Sequence, residues 1–185
     1  MAGLDEAGRG AWAGPVVAAA VIFKPFTHLP DIDDSKKLDP EKRDFLFDVI
    51  LHEAVTYGVG IVSSSVIDQI NILEASLLAM REAVGKLSRI PECLLVDGNR
   101  GIGLSIPQKT LIGGDGICLS IGAASIVAKV TRDRLMVQME NKYPQFGFSK
   151  HKGYGTKAHQ KELEKFGPLS EHRQSFGPIR SLLSD

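Results

Sequence analysis

Apolar positions along the chain fall into short unbroken runs and longer helical stripes. After an apolar opening at Gly3-Leu4 and a glycine-rich turn at Gly8-Arg9-Gly10, Pro15 to Phe23 is a stretch of Val, Ile and Ala, the composition of a strand buried on both faces. Pro25 to Pro30 ends it. Asp39 followed by Pro40 predicts a helix start, a capping carboxylate and then proline where no N–H is needed. Phe45, Leu46, Val49 and Ile50 are expected to line that helix's apolar face. Val59 to Val62 predicts a short strand. Asn71 with Glu74 three residues later has the form of a capping box. Beyond it, Leu73, Leu77, Met80, Val84 and Leu87 recur along one helical face, a stripe that reads as core packing. Cys93 to Val96 is an apolar run ending at Asp97, and Ser105 to Ile112 predicts a further strand. Small residues from Leu119 lead into a charged helical pattern reaching about Met139. Thr156 caps a helix running to Phe166, closed by Gly167-Pro168. Early strands covered by helices make the class α/β with a mixed sheet.

Composition narrows this picture. The 185 residues suit one core, and no linker, repeat or low-complexity stretch divides them. With 43% hydrophobic and 24% charged residues, a disordered or collagen-like chain is excluded. Lys plus Arg equals Asp plus Glu at 22 each, which excludes a uniformly basic nucleic-acid glove. The balance is nonetheless uneven: between Lys129 and Lys165, nine Lys or Arg stand against four acids. Lys150, His151, Lys152, Lys157, His159, Lys161 and Lys165 crowd a segment that also holds Phe146, Phe148 and Tyr154. Such interleaving fits phosphate contact with sugar or base stacking; it fits a solvated helix face as well. Cys93 and Cys118, the only cysteines, form neither a disulfide framework nor a zinc motif, so a reducing cytoplasm is expected. The longest apolar run is too short to span a bilayer, and no membrane association is expected.

Candidate chemistry lies in the acids. Asp5, Asp97 and Asp115 sit where strands end or loops begin, each among apolar or glycine neighbours. An unpaired carboxylate at a core edge is costly, and several converging would repel one another unless a cation stood between them. Hard oxygen donors with few histidines nearby select magnesium or manganese over zinc. Two such ions about 3.5–4 Å apart activate a water and stabilise the leaving oxygen in phosphodiester cleavage. Asp also caps turns, so each acid alone is ambiguous. Glu6 presents a difficulty, because neighbours on a regular strand face opposite ways, and it reaches a shared cluster only where the strand ends or kinks. Gly98-Asn99-Arg100-Gly101-Ile102-Gly103 offers a weak dinucleotide-binding alternative, lacking the helix expected behind it.

Asp5-Glu6-Ala7-Gly8-Arg9-Gly10, with Gly14-Pro15 behind, resembles the opening signature of bacterial ribonuclease HII, the type 2 ribonuclease H family. The resemblance continues through Asp34-Ser35-Lys36-Lys37-Leu38, Asn71-Ile72, Val96-Asp97-Gly98 and Gly114-Asp115. It then takes in the run Ala123 to Lys129, Arg132-Asp133, His151 to Thr156, His172-Arg173 and Ser175-Phe176. Arg9 favours type 2 over type 3 enzymes, which usually carry lysine there. The resemblance implies a ribonuclease H-like fold, a central mixed five-stranded sheet flanked by helices. Residues 1 to about 140 would form the catalytic core, and about 141–185 a helical C-terminal part packed on it. It implies an endonuclease that cuts the RNA strand of RNA–DNA hybrids and incises duplex DNA 5′ of an embedded ribonucleotide, leaving 3′-hydroxyl and 5′-phosphate. Asp5, Glu6, Asp97 and Asp115 match its acidic, metal-holding quartet, for Mn2+ or Mg2+, two ions with substrate bound. Gly8, Arg9, Gly10 and Tyr154 match its sensor of the 2′-hydroxyl, while Lys36, Ser125, Lys129 and Arg132 resemble positions near the site and the phosphate backbone. A monomer is expected. Trp12 and Gly116 depart from the family pattern and would alter the sensing loop and loosen Asp115. The alternative from another class is a non-catalytic nucleic-acid-binding module.

Overall fold

In the computed structural model of the chain, residues 1–29, 32 and 38–183 are described. Five strands form one sheet: β1 (Ala2–Ala7), β2 (Val16–Ile22), β3 (Thr56–Val62), β4 (Leu94–Asp97) and β5 (Gln108–Leu111), in the order β3-β2-β1-β4-β5. β1 runs antiparallel to β2 and parallel to β4, β2 is antiparallel to β3, and β4 is parallel to β5. The sheet is therefore mixed, as the sequence predicts.

Every residue of β2 is buried. Val16, Ala18, Ala20 and Ile22 join one core with the long helix α2 (Ser64–Gly85), whereas Val17, Ala19 and Val21 join another with α1 (Pro40–Glu53) and α3 (Leu119–Lys142). The alternation of a pleated strand thus serves two apolar layers, which is why this run carries no polar residue. Gly3 of β1 lets the start of α3 close on the sheet: a Cβ there would stand 2.2 Å from the Ser120 carbonyl carbon.

The Asp39 side chain accepts from the Lys42 amide at 2.8 Å, with Pro40 opening α1 as expected. The expected apolar face is rotated, however. Leu46, Phe47 and Ile50 are buried while Phe45 lies exposed, because α3 and the sheet take the side on which Phe47 projects. α2 begins earlier than the stripe predicts, capped by Ser63, and kinks at Asn71. Asn71 Oδ1 accepts from the Leu73 and Glu74 amides, so the predicted cap exists but opens the second half of a longer helix.

Beyond α3 come α4 (Phe148–His151), α5 (Lys157–Phe166) and α6 (Gly177–Leu183). Phe146, Phe148, Leu163 and Ile179 pack with Ala13 and Met136 as a third cluster, which fastens this part to α3 and to the loop after β1. Phe146 and Phe148 stack on each other inside that cluster, centroids 5.3 Å apart, so they are core residues rather than a stacking platform for bases. Among the described residues, no helix is long and apolar enough to cross a membrane.

Candidate active site

The register places the acids. Leu4 of β1 pairs with Val96 of β4, so one step further, where this parallel pairing ends, Asp5 stands beside Asp97, the last residue of β4, on the same face of the sheet. Asp5 is only 6% exposed. Burial, then Glu6, with a smaller push from Asp97, raises its carboxyl to about 8, while hydrogen bonds from the Ser125 side chain and the Glu6 amide oppose the rise. The Glu6 amide lies 2.7 Å from Asp5 Oδ1. Ser125, buried on α3, thus orients Asp5 from the opposite layer. Glu6 falls on the α2 side by strand parity, yet β1 ends one residue later, and its side chain borders both a cavity on the α3 side and a small recess against Leu73 and Ser76. Glu6 is nevertheless still paired with Ala18, and Ala7 with Val17, so the strand neither ends nor kinks at it.

Asp97 Oδ1 accepts from the Gly114 amide at 2.8 Å, which ties β4 to the 3-10 turn Gly114–Gly116 and brings the segment holding Asp115 to the same sheet edge. The Asp115 carboxylate accepts from the Gly116 amide at 3.0 Å. Among the described residues, no three carboxylate, histidine or cysteine side chains converge closely enough to grip one ion as they lie. The donor set is nevertheless all oxygen, and the Asp5 carboxyl, raised first by burial and then by repulsion from Glu6 and Asp97, is one whose charged form a divalent cation would favour. These residues fit a hard metal ion.

A cavity of about 670 Å³ is lined by Glu6, alone of the four acids, and by Gly8, Arg9, Gly10, Lys129, Lys152 and Tyr154 among others. Lys129 Nζ holds Asp133 at 2.8 Å, and Arg43, from α1, lies 3.9 Å from the same carboxylate. Lys150 completes this basic wall. Tyr154 is 36% exposed, facing the cavity from the loop after α4, with the Arg132 guanidinium 5.4 Å from its ring centre. The Arg9 side chain turns back to Glu6 at 3.1 Å.

Arg132 has a different task from the one expected. It is fully buried, donating to the carbonyls of Pro15, Lys152 and Ala13, and is not among the cavity's lining residues. It lies so close to Gly8 (φ +92°) that a Cβ there would meet its Nε at 2.0 Å. Only glycine fits that turn. Trp12 points away from the cavity toward His159, ring centres 5.9 Å apart. Lys36 lies outside the described residues. The Gly98–Gly103 run leads into β5 rather than a helix, so its dinucleotide reading lacks the required N-terminus. Sequence reasoning gave His172 and Arg173 no role. Both are fully buried, with Arg173 donating to the carbonyls of Gly8, Arg9 and Gly14, and their place in the ordered family blocks was the only signal.

A mixed five-stranded sheet with Asp5 and Asp97 side by side where two parallel strands part, and a cavity edged by the glycine loop and by basic residues, define the class: a nuclease of ribonuclease H-like architecture. Residues 2–178 match the family model described as Ribonuclease HII, and the chain belongs to that family. It is 54% identical over 180 residues to Ribonuclease HII of Geotalea daltonii, covering 97% of this chain and 83% of that one. To the Geobacter sulfurreducens Ribonuclease HII it is 52% identical over 185 residues, covering 100% and 85%. The solved ribonuclease H2 of Pyrococcus horikoshii superposes with a TM-score of 0.82 at 27% identity, covering 99% of this chain and 96% of that one. The chain is accordingly a type 2 ribonuclease H, a hydrolase acting on the RNA of RNA–DNA hybrids, and a non-catalytic binding module is not favoured. Enzymes of this kind depend on divalent metal ions.

Proposed function

We propose that this enzyme, besides cutting the RNA strand of hybrids, incises duplex DNA on the 5′ side of a single embedded ribonucleotide, leaving a 3′-hydroxyl and a 5′-phosphate. Asp5, Glu6, Asp97 and Asp115 would hold Mn2+ or Mg2+, two ions with substrate bound. Bound there, the ions would activate water and stabilise the leaving oxygen. The supporting observation is the pairing that sets Asp5 beside Asp97 on the face where the glycine loop and Tyr154 border one cavity.

The chain's own residues orient the substrate. Gly8 and Arg9 turn their carbonyls toward Arg173. A trans peptide sets C=O and N–H in opposite directions, so the amides of Arg9 and Gly10 face outward, where a 2′-hydroxyl could accept from them. Tyr154 offers a flat face to the following sugar, where an extra hydroxyl would intrude. Lys129, Lys150 and Lys152 suit the phosphate backbone. Ser125 keeps Asp5 in orientation. Free thiols at Cys93 and Cys118 suit a reducing cytoplasm.

The test is a duplex carrying one ribonucleotide, incubated with and without manganese, with the cut mapped at nucleotide resolution. Metal-dependent incision 5′ of the ribonucleotide is the expected result. Cleavage of long hybrids without any cut at the single ribonucleotide would overturn the finer reading.

A further inference from the structure

Two adjacent side chains of the segment between α5 and α6 reach both halves of the proposed ribose sensor. Arg173 donates from Nη2 to the Gly8 carbonyl at 2.7 Å, from Nη1 to Arg9 at 2.8 Å and from Nε to Gly14 at 3.1 Å. Its own amide donates to the Trp12 carbonyl at 2.7 Å. One guanidinium therefore spans both ends of the connection between β1 and β2 that contains the glycine loop.

His172 acts on the other half through a relay whose tautomers are fixed by their partners. His172 Nδ1 accepts from the Leu169 amide at 2.8 Å, which leaves its proton on Nε2. That nitrogen lies 3.0 Å from His159 Nε2, which must accept. His159 then carries its proton on Nδ1 and donates it to the Tyr154 carbonyl at 3.0 Å. His151 stacks on His159, centroids 4.2 Å apart, with its own Nε2 turned to Glu162. The relay closes with both rings neutral, consistent with burial holding His159 and His172 down to about 4.

A loop that needed only to be closed could be held by apolar packing. Burying Arg173 beside the like-charged Arg132 is a costly way to hold it, since desolvated guanidiniums lose their hydration. What a planar fork adds is direction: it fixes several carbonyls at once, and through them the outward amides.

We propose that the His172–Arg173 pair is a positioning device that sets the glycine loop and Tyr154 relative to each other, and so tunes the enzyme's selectivity for the RNA-to-DNA junction. Neither residue touches substrate. The inference rests on reading Gly8–Gly10 and Tyr154 as the ribose sensor.

Arg173→Lys keeps the charge but cannot fork to three carbonyls. The readout is kcat/KM on a single-ribonucleotide duplex divided by kcat/KM on a long hybrid, with folding checked by a thermal melt. The ratio is expected to fall about tenfold. Equal losses on both substrates, or an unchanged ratio, would mean that Arg173 serves stability alone. His172→Asn, which retains an acceptor toward Leu169 but not the reach to His159, is expected to lower the same ratio. Should Arg173→Lys fail to fold, the Arg173 Nε–H resonance of the 15N-labelled wild-type protein decides. It is expected to shift on binding a single-ribonucleotide duplex in the absence of metal and not on an all-DNA duplex; equal shifts overturn the proposal. A wild-type enzyme with no preference for ribose-containing over all-DNA duplex would instead sink the sensor reading itself, which separates the two failures.

Discussion

At the residue scale, Asp97 is held twice, by its place at the end of β4 and by the Gly114 amide. Replacing it with asparagine preserves shape and that hydrogen bond while removing the charge a divalent ion needs. Asp97→Asn is expected to lower cleavage by at least about 10²-fold while leaving hybrid binding in place, measured by single-turnover kinetics and filter binding. Cleavage at the parent rate would remove Asp97 from the metal set. Tyr154 makes a finer prediction. Tyr154→Ala is expected to lose about tenfold more activity on single-ribonucleotide duplexes than on long hybrids, where junction sensing matters less. Equal losses would deny it that role. Asp97 stood out in the sequence because it directly follows Leu-Leu-Val, at a core edge where an unpaired charge is costly, although a turn-capping role would read the same. Arg132 and Arg173 did not, because a sequence does not show that a guanidinium turns inward to carbonyls more than a hundred positions away.

At the scale of elements, cap chemistry was the most readable signal. Asp39 and Thr156 begin helices where their side chains accept from amides three residues on, an entirely local geometry. Asn71 shows the limit of local reading. It caps the helical turns that run on to Gly85, yet its own φ of +67° joins a preceding turn begun at Ser63 into one kinked helix. The kink directs Leu73 and Ser76 toward the recess at Glu6 and Asp97, so it bears on the site. Asn71→Ala removes the side-chain oxygen that accepts from two amides while leaving a Cβ at the same positive φ, and is expected to cost about 1–2 kcal/mol in urea denaturation. Asn71→Gly, which tolerates the dihedral, is expected to cost less. α4 and α6 escaped reading because short helices carry too few periods to register. The face of α1 was misjudged because Phe45 and Phe47 are equally apolar, and only the packing of α3 distinguishes them.

At the scale of the whole molecule, the neutral His159–His172 pair links stability to pH. Both rings titrate near 4 in the fold, against about 6.5 when unfolded, so above that range neither state carries the extra charge. As pH falls through 6.5 toward 4, the unfolded chain gains protons that the fold refuses, and stability is lost. Between pH 7 and pH 5 the loss is expected to be about 2 kcal/mol per histidine, seen as a falling Tm. A His172→Gln variant, with one such site fewer, is expected to show a shallower fall; an identical slope would mean that the pair does not carry the effect.

The order of strands and helices, the caps, the buried double-faced strand and the identity of the acids were determined by the sequence itself, because each depends on neighbours within a turn or two of the chain. The tertiary structure alone decided which acids stand side by side, which way the glycine loop turns its amides, and which basic residues meet solvent. Those depend on strand register and on buried donors reaching across long loops, and no local preference along the chain encodes either.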